Sequence, residues 1–273
     1  MLVRSPAVAG RFYPADPTVL ARDVDRYLGG ASTEPAVDAR ALLAPHAGYV
    51  YSGAIAGRTY AAARVPSRAI VICPNHTGLG SGRSVTNADA WAMPGGDVPV
   101  DAELRNALVE HADLVPDALA HVREHAVEVQ LPFLARRSPG LSFVAVCLGP
   151  LAFAECRRMG EAIARAIREV TRNDPSSVLM VASSDMSHYL PADTAERLDA
   201  LALERIVAFD AEGLHHVVRQ HDISMCGYIP TTVTMVTARE LGATRGRLVC
   251  YGNSGETSGD TDSVVGYAGA LMS

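Results

Sequence analysis

The sequence has no cysteine pair at CxxC spacing, no lysine-bearing phosphate loop, no internal repeat and no low-complexity segment. It also has no apolar run long enough for a membrane helix. Each absence removes a class. Without CxxC, the five cysteines (Cys73, Cys147, Cys156, Cys226, Cys250) do not form a structural zinc knuckle. Their odd number argues against a disulfide framework. Residues 1–10 contain no continuous apolar core of a signal peptide, so the expected location is the cytoplasm. A net charge of −6 does not draw in phosphate backbones or anionic membranes by bulk electrostatics. Nucleic acid and membrane are therefore not expected partners.

What remains is ordinary globular material. With 48% apolar and 20% charged residues in 273, the chain can bury a large core, and a single domain spanning 1–273 is expected. Segment 29–38, with Gly, Ser, Thr and Pro, reads as a loop. Short apolar runs at 41–44, 69–73, 141–148 and 177–182 read as buried strands. Helical periodicity is clearest at 153–170, where Phe153, Cys156, Met159, Ile163, Ile167 and Val170 form one stripe. Further helices are expected from Ser52 as a cap, from Asp101, over 124–134 as far as Pro132 allows, and over 194–209, 211–220 and 231–241. Segments 247–251 and 263–270 read as closing strands. Alternating strands and helices imply an α/β fold with a mostly parallel sheet covered on both faces.

Three of these segments run into histidine-bearing turns: Ala44-Pro45-His46-Ala47-Gly48-Tyr49, Cys73-Pro74-Asn75-His76-Thr77-Gly78 and Ser184-Asp185-Met186-Ser187-His188-Tyr189. Sites in open α/β sheets form at the carboxyl ends of strands, so neighbouring strands would bring these histidines into one pocket. A single histidine after a strand is an ordinary loop residue; three in one chain point to a shared site. Two histidines hold a metal weakly. Cys226 is the candidate third ligand, since it lies in the polar turn Ser224-Met225-Cys226-Gly227-Tyr228 while the other cysteines lie in apolar runs. A loop thiol without a role is the plain alternative. Arg123-Glu124-His125-Ala126-Val127-Glu128 adds a fourth histidine and two carboxylates, with His125 and Glu128 on one face if the segment is helical. A charged helix start explains it equally well. His111, His121, His215, His216 and His221 read as surface or structural residues. The Gly-rich loop 253–260 reads as a rim of the pocket.

Together these stretches resemble the Memo family, whose bacterial members are called AmmeMemoRadiSam system protein B. The resemblance runs almost end to end, through Ala9-Gly10-Arg11-Phe12-Tyr13-Pro14, the His46 and His76 turns, Glu124-His125-Ala126-Val127-Glu128-Val129-Gln130-Leu131-Pro132, Ser183-Ser184-Asp185-Met186-Ser187-His188, Cys226-Gly227 and Val264-Val265-Gly266-Tyr267-Ala268. It implies kinship with class III extradiol dioxygenases and their α/β fold. It also implies His46, His76 and Cys226 as ligands of one transition-metal ion, with His125, Asp185 and His188 as catalytic groups. Those dioxygenases hold Fe(II) with two histidines and a carboxylate; here a softer thiolate stands in, so iron or copper ranks ahead of zinc. The expected function is a metal-dependent redox or dioxygenase-like enzyme acting on an unidentified small molecule. The family also implies two alternatives: a binding module for phosphotyrosine-like or protein ligands, and an accessory component of a radical SAM-associated modification system.

Overall fold

A computed structural model describes residues 1–29 and 35–273. Residues 30–34 of the expected 29–38 loop lie outside the described residues. The strands, in chain order, are β1 (Val3–Arg4), β2 (Ala41–Ala44), β3 (Arg68–Pro74), β4 (Arg83–Val85), β5 (Ala90–Trp91), β6 (Val98–Pro99), β7 (Val115–Pro116), β8 (Ser142–Leu148), β9 (Val178–Ser183), β10 (His188–Leu190), β11 (Gly246–Asn253) and β12 (Val264–Met272). The helices are α1 (Pro17–Gly29), α2 (Tyr49–Ala62), α3 (Ala102–His111), α4 (Leu119–Val122), α5 (Leu131–Arg137), α6 (Phe153–Val170), α7 (Ala192–Val207), α8 (Ala211–Gln220), α9 (Tyr228–Glu240) and α10 (Gly255–Ser258).

The main sheet runs β10-β12-β2-β9-β3-β8-β4-β7, with β11 on the other side of β12. Its centre, β2-β9-β3-β8, is parallel, and antiparallel partners flank it. These four strands are almost wholly apolar because both faces are covered. Leu43, Ile70, Ile72, Val144, Val146 and Met180 face a layer of α3, α6, α7, α8 and α9. Leu42, Val71, Phe143, Leu179 and Val181 face α1, α2, α5 and a small sheet ordered β1-β5-β6. The stripe on α6 buries Cys156, Met159, Ile163 and Ile167 as its spacing requires.

Two helix starts differ from the sequence expectation. Ser52 does not cap α2; the helix begins at Tyr49, and the Ser52 hydroxyl donates back to the Ala47 carbonyl at 2.9 Å. The 124–134 segment is not one helix ended by Pro132. Residues 128–130 form a 3-10 turn, and Pro132 sits in the first turn of α5, where its missing N–H costs nothing. His125 and Glu128 accordingly do not share a helical face.

The order β2-β9-β3 places the ends of the strands that lead to the three histidine turns side by side. Ala44 is level with Ser183, and Ile72 with Ala182. Among the described residues no helix is long and apolar enough to cross a membrane.

Candidate metal centre

His46 and His76 each sit two residues beyond the end of their strands, and their rings meet at 5.0 Å. The third corner of the triangle is His125, at 5.3 Å from His46 and stacked on His76 at 4.9 Å. Cys226, in the turn between α8 and α9, completes the group: its Sγ lies 3.2 Å from His46 Nε2 and accepts the Asp185 N–H at 3.3 Å. Gly227 permits this approach. A Cβ there would stand 2.4 Å from Ser184 Cβ and 2.5 Å from the Ser183 carbonyl, so any side chain would push Cys226 away. One ligand atom each from His46, His76 and Cys226 falls within 4.8 Å of the others.

Burial sets the protonation of His46 and Cys226. His46 is 1% exposed, and desolvation, followed by the neighbouring His125, His76 and His188, holds its pKa well below the usual imidazole range. It is neutral and its Nε2 faces Cys226. Burial, reinforced by the Asp185 carboxyl, pushes the Cys226 thiol up. A metal must therefore displace a thiol proton on binding. Asp185, buried between them, is pushed up to about 6, although its Oδ1 accepts the His46 N–H at 2.7 Å.

Glu124 anchors the other side. It is fully buried, its Oε2 accepts the His76 N–H at 2.8 Å, and its Oε1 accepts His76 Nδ1–H at 2.9 Å. Burial pushes its pKa up, but the His76 hydrogen bond and the charges of His76 and His125 outweigh that and hold it low. A carboxylate on Nδ1 leaves Nε2 of His76 as the free donor atom and fixes the orientation of the ring. His76, Glu124 and His125 also form a close trio. Within it Glu124 Oε1 accepts His125 N–H at 2.9 Å and Ala126 N–H at 3.0 Å beside the His76 bond. Those bonds also explain why residues 124–126 leave the helical path.

His188 stands apart from the triangle. Half-buried, it donates Nδ1–H to the Ser224 carbonyl at 2.9 Å and is felt electrostatically by His46 and Asp185. Tyr189, next to it, is exposed with φ 58°, a strained conformation for a bulky residue. The 253–260 loop carries α10, and its described bonds run to Val50 and Val265 rather than to the imidazoles.

Residues to which the sequence assigned no role in the site build its walls. Phe12 packs edge-on against His125 at 4.9 Å. Glu128, fully buried, accepts Arg4 Nη1 at 2.7 Å, the Ala7 and Val8 N–H groups and the Tyr13 hydroxyl. Arg4 also donates to the carbonyls of His121 and Glu124. The N-terminal motif is thus a clamp on the segment that carries Glu124 and His125. The sequence offered the 9–14 motif and the two carboxylates beside His125; a charged helix start was the plain reading of the latter, and the structure overturns it.

The description "Memo-like protein" belongs to a family whose profile matches residues 4–271. The chain belongs to the Memo family. A MEMO1 family protein of Methanopyrus kandleri is 41% identical over 282 residues, covering 98% of both chains. One from Methanothermobacter thermautotrophicus is 39% identical over 278 residues, covering 98% of this chain and 99% of its own. One from Aquifex aeolicus is 39% identical over 275 residues and covers all of both chains. These names state Memo membership and no reaction. The donor chemistry in this Memo chain nevertheless fits a metal. Around a four-coordinate ion with bonds of about 2.0 Å to nitrogen and 2.3 Å to sulfur, donor atoms stand roughly 3.5 Å apart. The His46–Cys226 separation of 3.2 Å is close to that spacing.

Proposed function

We propose that this chain binds one transition-metal ion through His46, His76 and Cys226 and is a metal-dependent redox or dioxygenase-like enzyme acting on a small molecule. The observation that carries the reading is the approach of Cys226 Sγ to the buried His46 Nε2 at 3.2 Å, in a trio whose other imidazole, the more exposed His76, is held by a carboxylate. Bound there, iron or copper would supply Lewis acidity and one-electron chemistry, with coordination positions left for a ligand.

The chain's own groups handle protons around that position. The Ser224 carbonyl can only accept, so His188 carries a proton on Nδ1 and has its Nε2 left for proton exchange. Burial lowers the His125 pKa, and its ring stands beside His46 and His76, where it can exchange a proton. Asp185 Oδ2 lies 3.9 Å from His46 Nε2, where it can hold a proton beside the ligand. Phe12 and the buried walls limit water. An anion such as phosphotyrosine is the weaker reading, because the charged groups hydrogen-bonded to the His46 backbone and the His76 ring are the carboxyls of Asp185 and Glu124.

The test is elemental analysis of protein purified without oxygen or added metal, with Cys226→Ser alongside. About one iron or copper ion per chain, lost in the variant, supports the reading. Full metal occupancy in Cys226→Ser, or none in the wild type, sinks it.

A further inference from the structure

The knot of hydrogen bonds behind His46 has a direction that can be worked out from donors and acceptors alone. Ser183 Oγ touches three partners: the Ala126 carbonyl at 2.6 Å, Gln130 Nε2 at 2.9 Å and His46 Nδ1 at 2.9 Å. A hydroxyl has one proton and two lone pairs. The carbonyl can only accept, so the proton goes to Ala126. Both lone pairs must then receive protons, one from Gln130 and one from His46 Nδ1. The orientation of Gln130 is equally determined. Its Nε2 also faces the Pro45 carbonyl at 2.9 Å, which only accepts, while its Oε1 takes the Tyr60 hydroxyl at 2.9 Å. Tyr60, Gln130 and Ser183 are fully buried, so water cannot substitute for any partner.

We infer that Ser183, supported by Gln130 and Tyr60, is a positioning residue that fixes His46 as the Nδ1–H tautomer and aims its Nε2 lone pair at the metal position. The inference rests on the metal reading for its consequence but not for its geometry. The opposite tautomer would set the Nδ1 lone pair against an oxygen lone pair between two buried side chains, an unpaired buried contact. The same hydroxyl ties together three segments that form the pocket: Pro45-His46 after β2, His125-Ala126, and the end of β9. It explains why the serine that ends β9 sits on the floor of the pocket although it is no ligand itself. The two metal-facing imidazoles are therefore held differently, His76 by a carboxylate and His46 by a neutral hydroxyl that has no proton left to give it.

The experiment uses the full chain, stripped of metal by chelation, with Zn²⁺ as the affinity probe and ¹⁵N chemical shifts of the His46 ring as the tautomer readout. The wild type is expected to show the Nδ1–H form. Ser183→Ala is expected to mix the tautomers and to weaken Zn²⁺ binding by about 10- to 100-fold, the range for lost partners behind a metal-bound histidine. Ser183→Thr, which keeps the hydroxyl, is expected to restore both. Tyr60→Phe, at the far end of the chain, is expected to keep the tautomer. The Nε2–H form in the wild type would overturn the inference, and that measurement needs no variant to fold. So would Ser183→Ala retaining both the pure Nδ1–H form and wild-type Zn²⁺ affinity. Absence of Zn²⁺ binding by the wild type would instead strike the metal reading and leave the tautomer result standing.

Discussion

His46 and His121 are buried to almost the same degree, 1% and 2% exposed, and burial drives the pKa of both downward. Their surroundings differ. Around His46 stand two more imidazoles and a thiol, all able to donate to a metal. Around His121 stand the Trp91 ring at 5.9 Å, Arg4 and the Ser84 hydroxyl at 3.3 Å from Nε2, and its Nδ1 has no partner. Burial alone is therefore not a sign of function. At His46 every polar atom is matched or faces other donors; at His121 one is left over at a cost the core carries. The two regions are joined by Arg4, whose guanidinium bonds the carbonyls of both His121 and Glu124.

The largest expected effect tests that join. Arg4→Ala leaves Glu128 buried without its cation, and losing one partner of a buried pair costs about 3–5 kcal/mol. Urea unfolding should show that loss; a change below about 1 kcal/mol would mean the clamp is not structural. Next is the pH dependence of the His121 region. Burial, aided by the Arg4 charge, lowers His121 to about 4 against an ordinary 6.5, so between those values the unfolded chain binds the proton and the folded chain does not. Its contribution is complete above pH 6.5 and is lost as pH falls to about 4, amounting to roughly 3 kcal/mol. Asp185, raised to about 6, acts in the opposite sense, stabilising below its ordinary value and losing that as pH rises through 6. The stability difference between wild type and His121→Gln, followed by calorimetry from pH 7 to 4, isolates the first term. A flat difference would break the comparison.

Smaller effects separate the regions by metal rather than stability. Glu124→Gln replaces the carboxylate behind His76 and should weaken metal binding by about 10- to 100-fold, read by competition with a chelator. His121→Gln should leave that affinity within about two-fold, because its side chain bonds Ser84 rather than His46, His76 or Cys226. An equal loss in both variants would show that the two regions act as one.

The legible part of the fold was the buried strands and the amphipathic α6, since apolar runs and 3.6-residue periodicity need no partner to be recognised. The convergence of the His46 and His76 turns was readable on the condition that their strands lie together, a condition met by the order β2-β9-β3. The short strands of the β1-β5-β6 sheet were not readable. Two-residue strands carry no period, and only their partners define them.

The sequence by itself determined the α/β layering, the Memo membership and the short roster of residues from which a site could be built. Tertiary structure alone decided that His125 rather than His188 closes the imidazole triangle, and that Glu124 and Ser183 hold His76 and His46 from behind. It also decided that Cys226 reaches His46 across 180 positions of chain. The physical reason is that a buried carboxylate, a hydroxyl with one proton to place and a glycine that admits a close approach acquire their roles only from neighbours distant in sequence.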